Sequence, residues 1–196
     1  MIPIELLETY NAKLRTYDKN TTVFEELDTP RFYYQIASGS VKMINISEDG
    51  KEFAQGIFYD GNAFGEPPLF GDSKYPATAL CVQDSSIYIL PKSVFFDLLL
   101  AHPDLHLKFT KLLSKRMIYK AKIMKEVSIH PPEHRIMTLL QHLKINFGTA
   151  TDEYEVALTR QEISNLTGLR VETVIRSIKN LEKNNKLSIR DRKVYL

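Results

Sequence analysis

Cysteine is almost missing from this 196-residue chain, where Cys81 stands alone. A single thiol excludes an intramolecular disulfide and fits a reducing, cytoplasmic setting. Long apolar runs are missing as well: the longest fall far below the ~20 residues of a membrane span, so no membrane association is expected. The stretch from Met1 to Lys19 carries Glu5 and Glu8 early and has no basic segment followed by an apolar one, so it does not read as a secretory signal. Histidine is scarce. His106, His130, His134 and His142 fall on or beside expected helices without a ligand pair at a useful spacing, which leaves His102 in the first half. A metal enzyme built on a jelly roll would need several inward His or Glu ligands. No Ser-His-Asp order, P-loop or dinucleotide fingerprint is visible. The expectation is a protein that is not an enzyme and holds no metal or cofactor.

What is present is unevenly placed. Residues 1–102 hold 8 Lys+Arg against 14 Asp+Glu, whereas residues 103–196 hold 18 against 10. A near-neutral chain split this way reads as an acidic module joined to one that meets a polyanion.

In chain order, residues 2–14 read as a short amphipathic helix. From about Tyr17 to Leu90 the pattern turns to period two: 32–36, 41–46, 53–59, 78–81 and 86–90 read as strands. Asp49-Gly50 and Asp60-Gly61 are hairpin turns of the Asp-Gly kind. Many short strands at such spacing predict an antiparallel barrel or jelly roll. A helix follows from Pro91 to Leu100, then a long one from Pro103, a favoured first-turn residue. Its apolar stripe runs Leu105, Phe109, Leu113, Met117, Ala121, Met124, Val127. Two chains could share that stripe as a coiled-coil seam through Phe109, Leu113, Met117 and Met124, or one chain could bury it alone. His130-Pro131-Pro132 ends the helix, because the residue before proline avoids the helical region. Another helix spans 133–146.

The most informative stretch is 158–187. Thr159 is an N-cap and Glu162 completes a capping box; Ile163 and Leu166 give the first helix an apolar side. Gly168 supplies a turn that needs positive φ. From there Val171, Val174, Ile178 and Leu181 line one helical face, while Glu172, Thr173, Arg176, Lys179 and Lys183 fall largely away from it. Two helices and a tight turn that offer a basic, hydrogen-bonding face suit the DNA major groove. Residues 187–189 and 194–196, flanking Arg190-Asp191-Arg192-Lys193, form a terminal basic hairpin.

The order Leu158-Thr159-Arg160-Gln161-Glu162-Ile163, Gly168-Leu169, Val171-Glu172-Thr173-Val174 and Arg176 closely resembles the helix-turn-helix of the Crp/Fnr family of bacterial transcription regulators. The rest of the chain fits the same family from roughly residue 15 onward. The resemblance implies an α+β protein: an N-terminal antiparallel β-roll (a double-stranded β-helix or jelly roll) for an effector over 1–102, a long dimerisation helix over 103–129, and a winged helix-turn-helix over 130–196. It implies a homodimer that binds double-stranded DNA and works with RNA polymerase. Glu172 and Arg176 match base-reading positions; Thr159, Arg160, Gln161 and Thr173 match backbone-contacting or supporting ones. Arg170 stands where a small hydroxyl N-cap is usual and can reach a phosphate, as can Lys179. Val171 in place of a base-reading arginine brings the contact list nearer the oxygen-sensor branch. Ile175 replaces a small residue between the readers, where it either touches a thymine methyl or packs.

The effector pocket departs from the family pattern. Nucleotide-sensing relatives open a phosphate cassette with Phe-Gly-Glu-Leu and close it with Arg-Ser-Ala or Arg-Thr-Ala. Here Phe64-Gly65-Glu66 opens it, Pro67-Pro68 follows, and Tyr75-Pro76-Ala77 closes it. Tyrosine replaces the arginine that would neutralise the phosphate, and Pro76 offers neither a hydroxyl nor an N–H. On the long helix, the positions that touch the purine align with Lys120 and Ala121. Burying a phosphate without a cation costs several kcal/mol, so cyclic AMP is not expected as effector, and any small-molecule effector is of unknown kind. An iron–sulfur sensor would need about four cysteines. The alternative function is a sensor or scaffold that keeps the fold without specific DNA binding.

Overall fold

The computed structural model describes residues 1–48, 50–147 and 153–196, with 126–128 and 146 described by backbone alone. Asp49 of the first turn and the side chain of Val127 lie outside that description. The chain divides into two compact units, Met1–Arg116 and Met117–Leu196.

In the first unit the order is α1 (Ile4–Thr9), β1 (Lys13–Tyr17), β2 (Thr22–Phe24), β3 (Phe32–Ser38), β4 (Ser40–Ile46), β5 (Glu52–Tyr59), β6 (Ala63–Phe64), α2 (Pro67–Gly71), β7 (Thr78–Cys81), β8 (Ser85–Pro91) and α3 (Lys92–Ala101). α4 (Pro103–Ile129) starts here and continues into the second unit. The strands form two antiparallel four-stranded sheets, ordered β1-β8-β3-β6 and β2-β7-β4-β5. Apolar side chains from both sheets meet in one core: Phe24, Tyr34, Ile36, Val41, Phe64, Tyr75, Cys81 and Ile87 among them. Burial also pushes the Cys81 thiol pKa up, so it behaves as a small apolar residue. A second cluster, with Tyr33, Leu90, Phe95, Leu98, Leu105 and Phe109, packs α3 and the start of α4 onto the roll.

Two local devices shape the roll. Gly39 joins β3 to β4 at φ +107, and a Cβ there would stand 2.3 Å from the Ser85 hydroxyl. On β5 the register slips between Met43↔Gly56 and Ile44↔Ala54, so Gln55 is an extra residue, a β-bulge. Gln55 donates to the Asn45 side chain at 2.8 Å, which gives the bulged residue a cross-strand partner.

The expected helix over 2–14 is corrected. It ends at Thr9, Asn11 takes φ 57, and 13–17 become β1, paired along β8 from Lys13↔Ile89 to Tyr17↔Ser85. The edge of β8 offers unpaired backbone groups, and Asn tolerates the left-handed turn that redirects the chain to it. Before α1, Ile2 exchanges two 2.9 Å hydrogen bonds with the buried Gln35 side chain, which also accepts from Tyr33.

The second unit holds α5 (Pro132–Phe147), β9 (Glu155–Val156), α6 (Arg160–Thr167), α7 (Val171–Lys183), β10 (Ser188–Arg190) and β11 (Lys193–Tyr195). Ile136, Leu139, Leu140, Ile163, Val174, Ile178 and Leu181 are buried among its helices. The expected terminal hairpin is β10–β11, and β9, absent from the sequence reading, adds a third strand to its β11 edge. Among the described residues no helix is long and apolar enough to cross a membrane, and no group of three or more His, Cys, Asp or Glu could hold a metal ion.

Candidate nucleic-acid interface and sensor pocket

The turn between α6 and α7 is built from short-range rules. The Thr159 hydroxyl accepts from the Glu162 N–H at 3.1 Å, and the Glu162 carboxylate accepts from the Thr159 N–H at 2.7 Å, a complete capping box. Gly168 ends α6 at φ 67. The Ser164 hydroxyl donates to the Leu169 carbonyl at 2.6 Å and ties the turn to α6. α7 then starts after Arg170, which gives no side-chain cap.

Packing decides which face of α7 is left outward. Val174, Ser177, Ile178 and Leu181 are buried; Glu172, Ile175, Arg176 and Lys179 are exposed, and steps of three and four put them on one side. Thr173 is half-buried. Arg170, Thr159 and Gln161 are exposed as well, and Arg160 is half-buried. Gln161 donates to Asn165 at 2.8 Å, and Arg160 reaches the Arg192 carbonyl of the wing at 3.4 Å. Seven of the eight sequence-designated contact residues therefore lie on α6, α7 or the turn between them, and the eighth, Thr159, caps α6.

The wing turn uses Asp191 and Arg192, both with positive φ, between paired Arg190 and Lys193, as a two-residue hairpin turn of the primed type requires. Its basic character is partly internal. Arg190 pairs with Glu153 and Lys193 with Glu155, which also accepts from the Tyr195 hydroxyl. Those hydrogen bonds hold the two glutamates below the usual carboxylate range.

In the first unit, Gly65, Glu66 and Tyr75 come together. Gly65 has φ +69, and a Cβ there would lie 2.6 Å from the Phe24 ring and 3.3 Å from that of Tyr75. Phe24 and Tyr75 stack at 3.7 Å with 13° between planes, flanked by Tyr34 and Phe64. Tyr75 is 2 % exposed. Glu66 is fully buried at the start of α2, and its Oε1 accepts from Arg116 of α4, a residue that the sequence reading missed. Arg116 also donates to the Ala63 carbonyl at 2.8 Å and lies 5.0 Å from the Phe58 ring centre. Burial pushes the Glu66 carboxyl up while Arg116 pulls it back. Glu66 Oε2 and the Tyr75 hydroxyl are buried without a hydrogen-bond partner.

A phosphate at this place would meet stacked rings, and the nearby guanidinium is engaged by Glu66, so the residues do not fit a cyclic nucleotide. Pro76 is exposed, its carbonyl accepting from Asn45 at 2.8 Å; Lys74 is exposed as well. Lys120 and Ala121 are exposed on α4, in the second unit.

The expected seam is corrected at one end. Phe109 is 1 % exposed and packs edge-on against Tyr33 and Phe95 of its own chain, so it has no surface to give a partner; Leu105 is buried with it. Leu113 is half-buried. Met117 and Met124 are 68 % and 73 % exposed, with Ile118 also exposed.

Residues 14–102 match the family model of the cyclic nucleotide-binding domain, and residues 134–196 that of the Crp-like helix-turn-helix domain. The fumarate and nitrate reduction regulatory protein of Vibrio cholerae is 25% identical over 98% of this chain and 78% of its own length. The transcriptional activator protein FnrA of Stutzerimonas stutzeri is 24% identical over 100% of this chain and 81% of its own. Among solved structures, the c-di-GMP responsive global regulator CLP of Xanthomonas campestris has a TM-score of 0.80 at 23% identity, covering 98% of this chain and 97% of its own. A CooA mutant from Carboxydothermus hydrogenoformans has a TM-score of 0.83 at 17% identity, over 98% and 85%. With a β-roll followed by a capped, winged helix-turn-helix, and a family model matched on each, the chain belongs to the Crp/Fnr family of transcription regulators.

Proposed function

We propose that this DNA-binding regulator works as a homodimer on a roughly palindromic operator and does not respond to cyclic AMP. Residues 1–102 act as sensor-type module, 103–129 as dimerisation helix and 130–196 as DNA-binding module. The observation that carries the reading is the exposed Glu172–Arg176 pair on a helix whose opposite face is fully used by the core. Glu172 accepts from a cytosine N4 amine and Arg176 donates to guanine O6 and N7. Thr159, Arg160, Gln161, Arg170, Thr173 and Lys179 hold the backbone, a sequence-independent task that releases counterions. Exposed methionines on α4 supply the self-complementary contact, and a two-fold dimer sets two recognition helices about one DNA turn apart. RNA polymerase is the partner through which such a regulator acts, in the cytoplasm.

The test is site selection from random duplexes, followed by binding at several salt concentrations. Wild-type protein should select an inverted repeat with a steep salt dependence. Glu172→Ala and Arg176→Ala should each relax one half-site position, at about 1–3 kcal/mol, whereas Arg160→Ala and Lys179→Ala should weaken all sequences alike. An unchanged selection profile for Arg176→Ala would remove α7 from the role of reader.

A further inference from the structure

The exposed face of α7 contains one residue that neither the core nor hydrogen-bond readout explains. Ile175 is 41% exposed. The core needs nothing from it, since Val174, Ser177, Ile178 and Leu181 already fill the inner face. Helix stability does not call for it either, because a β-branched side chain is a poorer helix former than Ala, Lys, Gln or Glu on an exposed face. Its neighbours are the proposed readers, Glu172 one turn before and Arg176 beside it, with Lys179, proposed to hold the DNA backbone, one turn after. An aliphatic group in the middle of a charged, hydrogen-bonding row can recognise only an aliphatic feature of what that row meets. In the major groove that feature is the C5-methyl of thymine, which cytosine, guanine and adenine lack.

We infer that Ile175 is a specificity-determining residue, its side chain packing on the thymine methyl of a base pair adjoining those read by Glu172 and Arg176. The inference rests on the proposal that α7 enters the groove, and it adds the base class at a third position. Ile175 has no donor or acceptor, so it discriminates by methyl burial and by leaving a cytosine amine unpaired.

Deoxyuridine separates these effects, because it pairs as thymine does and lacks only the methyl. The full-length chain is used to select a site; each thymine in one half-site is then replaced by dU in turn, and affinity is measured for wild type, Ile175→Ala and Ile175→Ser. Wild type should lose about fourfold at one thymine, the worth of one buried methyl, and little at the others. Both variants should bind thymine and dU equally at that position, with melting temperatures near wild type because the side chain is exposed. If wild type selects a site but no thymine in it responds to dU, or if Ile175→Ala keeps the discrimination, the inference is overturned while DNA binding stands. If wild type selects no site, the DNA-binding proposal falls and this inference with it.

Discussion

A tyrosine at a position where a phosphate-binding pocket wants a cation changes what the pocket can hold. Tyr75 stacks on Phe24 and both rings close over Gly65, so the space is filled by side chains rather than lined by donors. Its hydroxyl is buried without a partner, an arrangement that costs about 1–3 kcal/mol. Tyr75→Phe should therefore leave stability within about 1 kcal/mol of wild type or raise it, while Tyr75→Ala should cost about 3–5 kcal/mol through the cavity it opens. Urea unfolding of the two variants checks the pair; a large loss for Tyr75→Phe would mean that the hydroxyl has a bonding role. Cyclic AMP and cyclic GMP at millimolar concentration should not move the melting temperature of the wild type, whereas a ligand at 100 times its dissociation constant would add ~2.7 kcal/mol. The substitution at 75 was legible from the chain alone. The pairing of Glu66 with Arg116 was not, because fifty positions separate them and no local pattern links a roll residue to a helix residue.

Elements differ in how much of themselves they write into nearby residues. The turn between α6 and α7 was readable because cap, box and left-handed glycine all act within ten residues. The expected helix over 2–14 runs into the first two residues of β1, because the partner of β1 is β8, some seventy residues on, and its own five residues show no alternation of burial. The spacing of the apolar stripe of α4 cannot show who covers it: Phe109 is buried in its own chain, whereas Met117, on the same stripe, is exposed. α4 and α5 also carry a titrating contact within the second unit, where the Tyr119 and His142 rings stack at 3.7 Å. Burial, and then the nearby Lys122 charge, hold the His142 pKa below its usual 6.5; burial raises that of Tyr119 to about 12. A lowered imidazole pKa means that the folded state takes up its proton later than the unfolded chain. The associated stability is present above pH 6.5 and is lost as pH falls below it. Thermal scans from pH 7 to pH 5 should show a fall in melting temperature that His142→Phe, which keeps the ring and cannot be protonated, flattens. An equal slope in both proteins would assign the fall to other groups.

For the molecule as a whole, assembly and charge carry the proposed function. The segregation of acidic and basic residues between the halves was plain in the sequence, and the exposed Met117 and Met124 give the proposed dimer its apolar contact. Met117→Glu or Met124→Glu should yield monomers in sedimentation at micromolar concentration, with DNA affinity much reduced, since each new carboxylate would be buried against its symmetry mate. A variant that stays dimeric would remove that residue from the interface. The filled pocket has a consequence of another kind, in genetics. Where a regulator waits for a small molecule, lesions in its pocket give alleles blind to the signal at every temperature. Here the side chains of residues 24 and 75 pack on each other and over residue 65, so lesions that open this packing should behave as temperature-sensitive alleles: functional in the cold, lost on warming, and suppressed by second-site changes that refill the same volume.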